Sequence, residues 1–294
     1  MGMPKCITHY MHAKKVLKKL PYALVDGLDR DAYFWGAQGP DLFFTHRYLP
    51  FMRGKSISEY GERLHSEVKP SVLFRALRNY LTENADNKIA KAYVLGFVNH
   101  YVLDSRTHPY IHMLSAKLLE ERAYETLTTM HAEIESALDT ILLRKEAGKL
   151  PTEVKLAKFF PKNKKVQTEI SKMYTKVIAE VFQETVSWQE VYQATADMRL
   201  VYTLLTDRST MKMQIFSALE KGKTHKISTY ILPVMENASI DYANFAQNEW
   251  IVDGEASEKD FFMLFQEAVS PAVDMITSFM SCDFAETTKE IPFG

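Results

Sequence analysis

Apolar side chains recur at steps of three and four along most of the chain, the period of helices that bury one face. Ala90, Tyr93, Val94, Phe97, Val98 and Tyr101 form one such stripe and predict an amphipathic helix running up to His100. Thr8 is placed to cap an earlier helix through His9, His12, Val16, Leu17 and Leu20, stopped by Pro21. A short helix is expected over 59–67, carrying His65 ahead of Pro70, and Val72, Leu73, Leu77, Tyr80 and Leu81 make the next stripe. Beyond Pro109, Leu114, Leu118 and Leu119 begin another pattern. It resumes with Leu127, Met130, Ile134, Leu138, Ile141 and Leu142 and stops at Gly148 and Pro151. Helical periods continue through 166–181, 188–219 and 227–235. A last segment begins at Ser257, whose spacing to Asp260 resembles a capping box, and a kink is expected at Pro271. The reading is an all-α, multi-helix bundle forming a single domain over 1–294, with the candidate chemistry in 1–145 and a helical C-terminal half in 146–294.

Composition narrows the function. The 294 residues are 46% hydrophobic, ample for a large core. The formal net charge of −1 gives no reason to expect nucleic acid as a partner. No apolar run approaches the roughly 20 residues of a spanning helix, and the first residues lack the apolar core of a signal peptide, so a cytoplasmic location without a transmembrane segment is expected. Cys6 and Cys282 are too few for a disulfide framework or a thiolate zinc site. Any metal must be held by the nine histidines and by carboxylates, which suits zinc or another divalent ion. Walker loops, dinucleotide glycine patterns and serine nucleophile motifs are absent.

On the central helix His100 and Asp104 stand one turn apart, about 6 Å along the axis, the reach of two ligands on one ion. Pro109 is expected to end that helix near Thr107 and to let His108 swing toward a second ion. His131 and Glu135 also share a helix face and lie beside the core positions Met130 and Ile134. His112 is a second-best ligand. Asp41 follows the turn Gly36-Ala37-Gln38-Gly39-Pro40, where a helix-starting Asp and a functional carboxylate are equally good readings. His46 reads as a surface residue, and Phe43, Phe44, Tyr48, Phe51 and Met52 as a packed loop. A lone His-x-x-x-Asp pair is usually an ordinary hydrogen-bonded pair; the ordered set carries the weight.

Taken together, His9, Gly-Pro-Asp41, His65, His100-x-x-x-Asp104-x-x-x-His108-Pro and His131-x-x-x-Glu135 resemble the zinc-dependent phospholipase C family, whose superfamily includes fungal single-strand nucleases. The resemblance is clearest over 1–145 and weaker around Trp250 and the Phe-rich helix after it. It implies Asp41, His65, His100 and Asp104 on one zinc ion, His108, His131 and Glu135 on a second, and His9 on a third with Asp104 bridging. Secreted members complete the third site with an N-terminal Trp, which this chain does not carry, so low occupancy or water in its place is expected there. The residues alone leave Asp41 and Glu135 open as the base; the resemblance implies Asp41. The implied activity is metal-dependent hydrolysis of a phospholipid or small phosphodiester. The alternatives are a single-strand nuclease and a non-enzymatic, metal-stabilised helical interaction protein.

Overall fold

A computed structural model describes residues 6–252 and 254–294. The helices are α1 (Cys6–Leu17), α2 (Tyr22–Val25), α3 (Arg30–Gly36), α4 (Glu59–Ser66), α5 (Pro70–Glu83), α6 (Lys88–Glu120), α7 (Leu127–Ala147), α8 (Lys164–Phe182), α9 (Trp188–Leu205), α10 (Met211–Leu219), α11 (Phe261–Glu267), α12 (Val269–Ser278) and α13 (Phe284–Thr288). A 3₁₀ helix spans Gly39–Thr45. Among the described residues the regular structure is all helical except for an antiparallel hairpin of β1 (Trp250–Val252) and β2 (Glu255–Ser257).

The chain divides into two units. The larger comprises His9–Ser105, Phe159–Val201 and Ala268–Gly294. Its core centres on Phe74, buried against Phe97, Tyr101, Phe279 and Phe284 with ring centroids 5.1–6.1 Å apart. Such edge-on and tilted pairs suit the aromatic quadrupole. Arg78 ties α5 to the C-terminal turn, donating to the carbonyls of Phe279 and Cys282 and lying over the Phe284 ring. α3 crosses α6 at two glycines, and a Cβ on Gly36 would stand 2.0 Å from the Tyr93 carbonyl oxygen. Only the missing side chains allow so close an approach.

The smaller unit comprises residues up to Thr8, Arg106–Lys158 and Tyr202–Glu267. Thr8 is not the cap of α1, which already includes Cys6; instead Asp139 of α7 accepts from the amides of Ile7 and Thr8 and from the Thr8 hydroxyl. A carboxylate from another helix thus serves the orphan N–H groups of this one.

Several boundaries differ from the sequence reading. α6 does not stop at Thr107 but runs through Pro109 to Glu120, so His108 is helical. Pro109 removes the hydrogen bond to the Ser105 carbonyl, but Ser105, Arg106 and Pro109 lie on the half-exposed side of the helix, where water can serve that oxygen. The 188–219 pattern breaks into α9 and α10 around Asp207, whose carboxylate accepts from Ser209 and Met213 amides. The 227–235 segment forms only a 3₁₀ turn, Ser228–Tyr230. Its carbonyls are taken by hydroxyls of α7, Ser136 to Thr229 and Thr140 to Pro233, in competition with helix bonding. Ser257 lies in β2, and it is Asp260 that caps α11, accepting from the Met263 amide. The expected kink becomes a break at Ala268, where Pro271 denies an amide to the Glu267 carbonyl.

Candidate metal centres

In the larger unit five of the predicted residues converge. Asp41 arrives on the 3₁₀ helix, His65 on α4, His9 on α1, and His100 and Asp104 on α6; all five are buried. His100 Nε2 lies 3.1 Å from Asp104 Oδ2, 3.2 Å from His65 Nε2 and 3.8 Å from Asp41 Oδ1. Asp41 Oδ1 is also 3.2 Å from His65 Nε2, and Asp104 Oδ1 is 3.4 Å from His9 Nε2. These contacts form two groups, His9-His100-Asp104 and Asp41-His65-His100, with His100 common to both. The two oxygens of Asp104 face different histidines.

The surroundings fix how these groups point. His65 Nδ1 lies 2.6 Å from the Gly61 carbonyl; donation there leaves the Nε2 lone pair aimed at His100 and Asp41. Gly39, at φ +51°, lays its backbone against the His100 ring, and a Cβ would stand 2.3 Å from Cδ2. Its carbonyl accepts from the Tyr93 hydroxyl at 2.9 Å; that hydroxyl's one proton is so used, and Tyr174 therefore donates to Tyr93. Burial pushes both phenols well above their ordinary pKa and keeps them neutral donors. His9 stacks on His100 with centroids 4.4 Å apart, and Phe293 packs against both His65 and His100.

The smaller unit holds the third group. His131 and Glu135 sit one turn apart on α7, with Nε2 and Oε1 3.2 Å apart, and His108 Nε2 of α6 is 3.7 Å from the same oxygen. Burial alone would raise the Glu135 carboxyl, but His131 and then His108 outweigh it and hold the group ionised, well below the usual carboxylate range. His112 stacks on His108 with centroids 5.5 Å apart, outside the three groups. Desolvation first, then His108 and His131, lower its pKa to about 4.

Every group offers imidazole nitrogen and carboxylate oxygen within 4.8 Å of one another. The separations of 3.1–3.8 Å lie near the roughly 3.3 Å edge of a tetrahedron with zinc bonds of about 2.0–2.1 Å. The donor sets fit a divalent ion such as zinc.

All eight predicted residues fall into these groups, and Asp41 is one of them. His46 is the residue misplaced by sequence. It is buried, its Nδ1 accepts from the Ile57 amide, and Nε2 lies 3.2 Å from Glu190. Phe43 is buried, but Tyr48 and Phe51 are exposed. Phe293 and Tyr93 were missed: a lone Phe near the chain end carries no signal, and Tyr93 reads simply as one of the apolar stripe.

An all-helical chain with histidines and carboxylates gathered for divalent ions defines a class of metal-binding helical proteins. Within that class the family described as zinc dependent phospholipase C matches residues 8–184, and the protein belongs to this family. The matched span includes all eight residues of the three groups. No curated protein and no solved structure matches the chain. Among the described residues no helix is long and apolar enough to cross a membrane.

Proposed function

We propose that the protein is a metal-dependent phosphoric diester hydrolase, acting on a phospholipid head group or a related small phosphodiester, with 1–294 working as one domain. The observation that carries the reading is the set of five nitrogen and oxygen donors around His100, in a chain of the zinc dependent phospholipase C family. Asp41, His65, His100 and Asp104 would hold one ion, His108, His131 and Glu135 a second, and His9 a third shared with Asp104. Divalent ions bound there supply positive charge against the phosphate oxygens and lower the pKa of a water toward about 7.

The chain's own residues supply the rest. Asp41 is the base by its position in the family pattern: it orients the attacking water and takes its proton as the water oxygen bonds to phosphorus and the ester P–O bond breaks, and the departing oxygen takes up a proton from solvent and leaves as the alcohol. The shell of Gly39, Tyr93 and Phe293 holds His100 and His65 rigid, so the donors need no rearrangement before reaction.

The test is hydrolysis by the purified chain of phospholipid, a soluble phosphodiester and single-stranded DNA, with and without chelator, alongside metal content by mass spectrometry. Chelator-sensitive cleavage of the lipid or the soluble diester by a zinc-loaded protein is expected. Protein that stays metal-free under zinc repletion, or cleavage indifferent to chelator, overturns the proposal; cleavage confined to DNA transfers it to the nuclease reading.

A further inference from the structure

α10 has an unusual surface for a helix of a folded protein. Met211, Ile215 and Leu219 recur at every fourth position and are 60%, 52% and 65% exposed, and the helix buries no residue at all. A helix that turns its apolar stripe outward has a partner in mind for that stripe only if its surroundings say which. Here the surroundings are charged. Residues 207–227 hold five cations, Arg208, Lys212, Lys221, Lys223 and Lys226, against two carboxylates, in a chain whose net charge is −1.

Both carboxylates are engaged within the chain. Asp207 accepts from the amides of Ser209 and Met213, and Glu220 from the amides of Ile227 and Ser228 and from the Ser228 hydroxyl. Lys212 donates to the carbonyls of Leu204 and Thr206 and so helps fix the start of the helix. Arg208 before the stripe and Lys221, Lys223 and Lys226 after it are exposed. The helix therefore offers solvent an apolar ridge of about 12 Å with exposed cations before and after it in the chain, Arg208 among them although its Nε also donates to the Thr152 carbonyl, and both acids of residues 207–227 are taken by internal hydrogen bonds.

We propose that this face docks on an anionic lipid surface, Met211, Ile215 and Leu219 entering the boundary between head groups and acyl chains while Arg208, Lys221, Lys223 and Lys226 lie among the lipid phosphates. The charged polar face of a long interfacial helix is not present here, but exposed apolar area on α10 together with cations in its flanks supplies the two attractions that hold a segment at an anionic membrane surface. Each cation near an anionic leaflet adds attraction that fades with salt, which a purely apolar protein interface would not show. The inference stands on α10 and its flanks alone and is independent of the metal groups.

The experiment is co-sedimentation of the full chain with vesicles of phosphatidylcholine alone and of phosphatidylcholine with phosphatidylserine. Binding to the mixed vesicles, weakened by salt, is expected. The double variant Ile215→Asp/Leu219→Asp and the triple variant Lys221→Glu/Lys223→Glu/Lys226→Glu should each lose about tenfold or more in binding, while Lys221→Arg/Lys223→Arg/Lys226→Arg retains it. All these side chains are exposed, and circular dichroism of each variant checks the fold. Cleavage of the soluble phosphodiester should be unchanged in all three, so failure of docking and failure of the hydrolase reading are read separately. No preference for anionic vesicles, or equal binding by the acidic variants, overturns the proposal. So does a dimer that Ile215→Asp dissociates in light scattering, because the stripe then belongs to a second copy of the chain.

Discussion

The group around His100 and the group around Glu135 use the same donor chemistry at different depths. The first draws its five candidate donors from four elements and is almost sealed: its side chains are at most 8% exposed. The second takes two of its three candidate donors from one helix, one turn apart, with His131 and Glu135 each 12% exposed, and the third, His108, from α6. Depth changes what holds the ligands. Around His100 the backbone of Gly39 and the rings of Phe293 and His9 set the orientation, whereas His131 and Glu135 are brought together by their own helix and His131 is packed by the rings of His108 and His112 from α6. The comparison teaches that a sealed site depends on packing from distant segments, and a shallow one mainly on helical period.

The widest separation between the two should appear in activity. His100→Ala removes a donor common to two groups and should abolish metal-dependent hydrolysis, beyond the roughly 100-fold typical of losing an outer partner of a ligand. His131→Ala should release one ion and leave measurable residual cleavage, read by metal content and rate on the same preparation. His225→Ala should change neither, since His225 pairs with Glu125 away from all three groups. Equal losses in all three variants would erase the distinction.

Packing gives the next effect. Gly39→Ala places a methyl within 2.3 Å of the His100 ring at a φ of +51°. It should cost about 2 kcal/mol or more of stability, from overpacking and a left-handed backbone, measured by denaturant unfolding. It should also displace His100 and lower metal binding at the sealed group while sparing that of His131 and Glu135. Wild-type stability in this variant would show that the close approach is not needed.

The smallest effect is a pH dependence. His46 follows the 3₁₀ helix of Asp41; desolvation holds its pKa below the ordinary value of about 6.5, outweighing the pull of Asp197 and Glu190, with Arg47 acting in the same direction as burial. The unfolded chain therefore binds a proton that the folded chain refuses. The contribution is fully present above about pH 6.5 and is lost as pH falls from there toward the folded pKa. Wild-type protein should lose more stability than His46→Gln between pH 7.5 and 5.5, by denaturant midpoints at each pH; parallel losses would remove His46 from the account.

Much of the helical plan was legible because a buried face leaves a period. The stripes of α5 and α7 and the stop at Gly148 needed nothing beyond local sequence. His100 with Asp104 and His131 with Glu135 were readable as pairs for the same reason. The hairpin at β1 and β2 escaped, though Asp253-Gly254 is a turn signal between two short runs. His46 escaped because a polar residue on a loop carries no mark of the Glu190 and Ile57 groups that receive it.

Sequence by itself determined most of the helical plan, the ordered list of candidate nitrogen and oxygen donors and, through the family pattern, the metal chemistry they suit. The tertiary structure alone decided that α6 passes through Pro109, that Gly39 bears on His100, that His46 is buried and that α10 leaves its apolar stripe in solvent. The reason is one of range. Periodicity records which side of an element avoids water, but what fills that side, and whether anything fills it, depends on segments far apart in the chain.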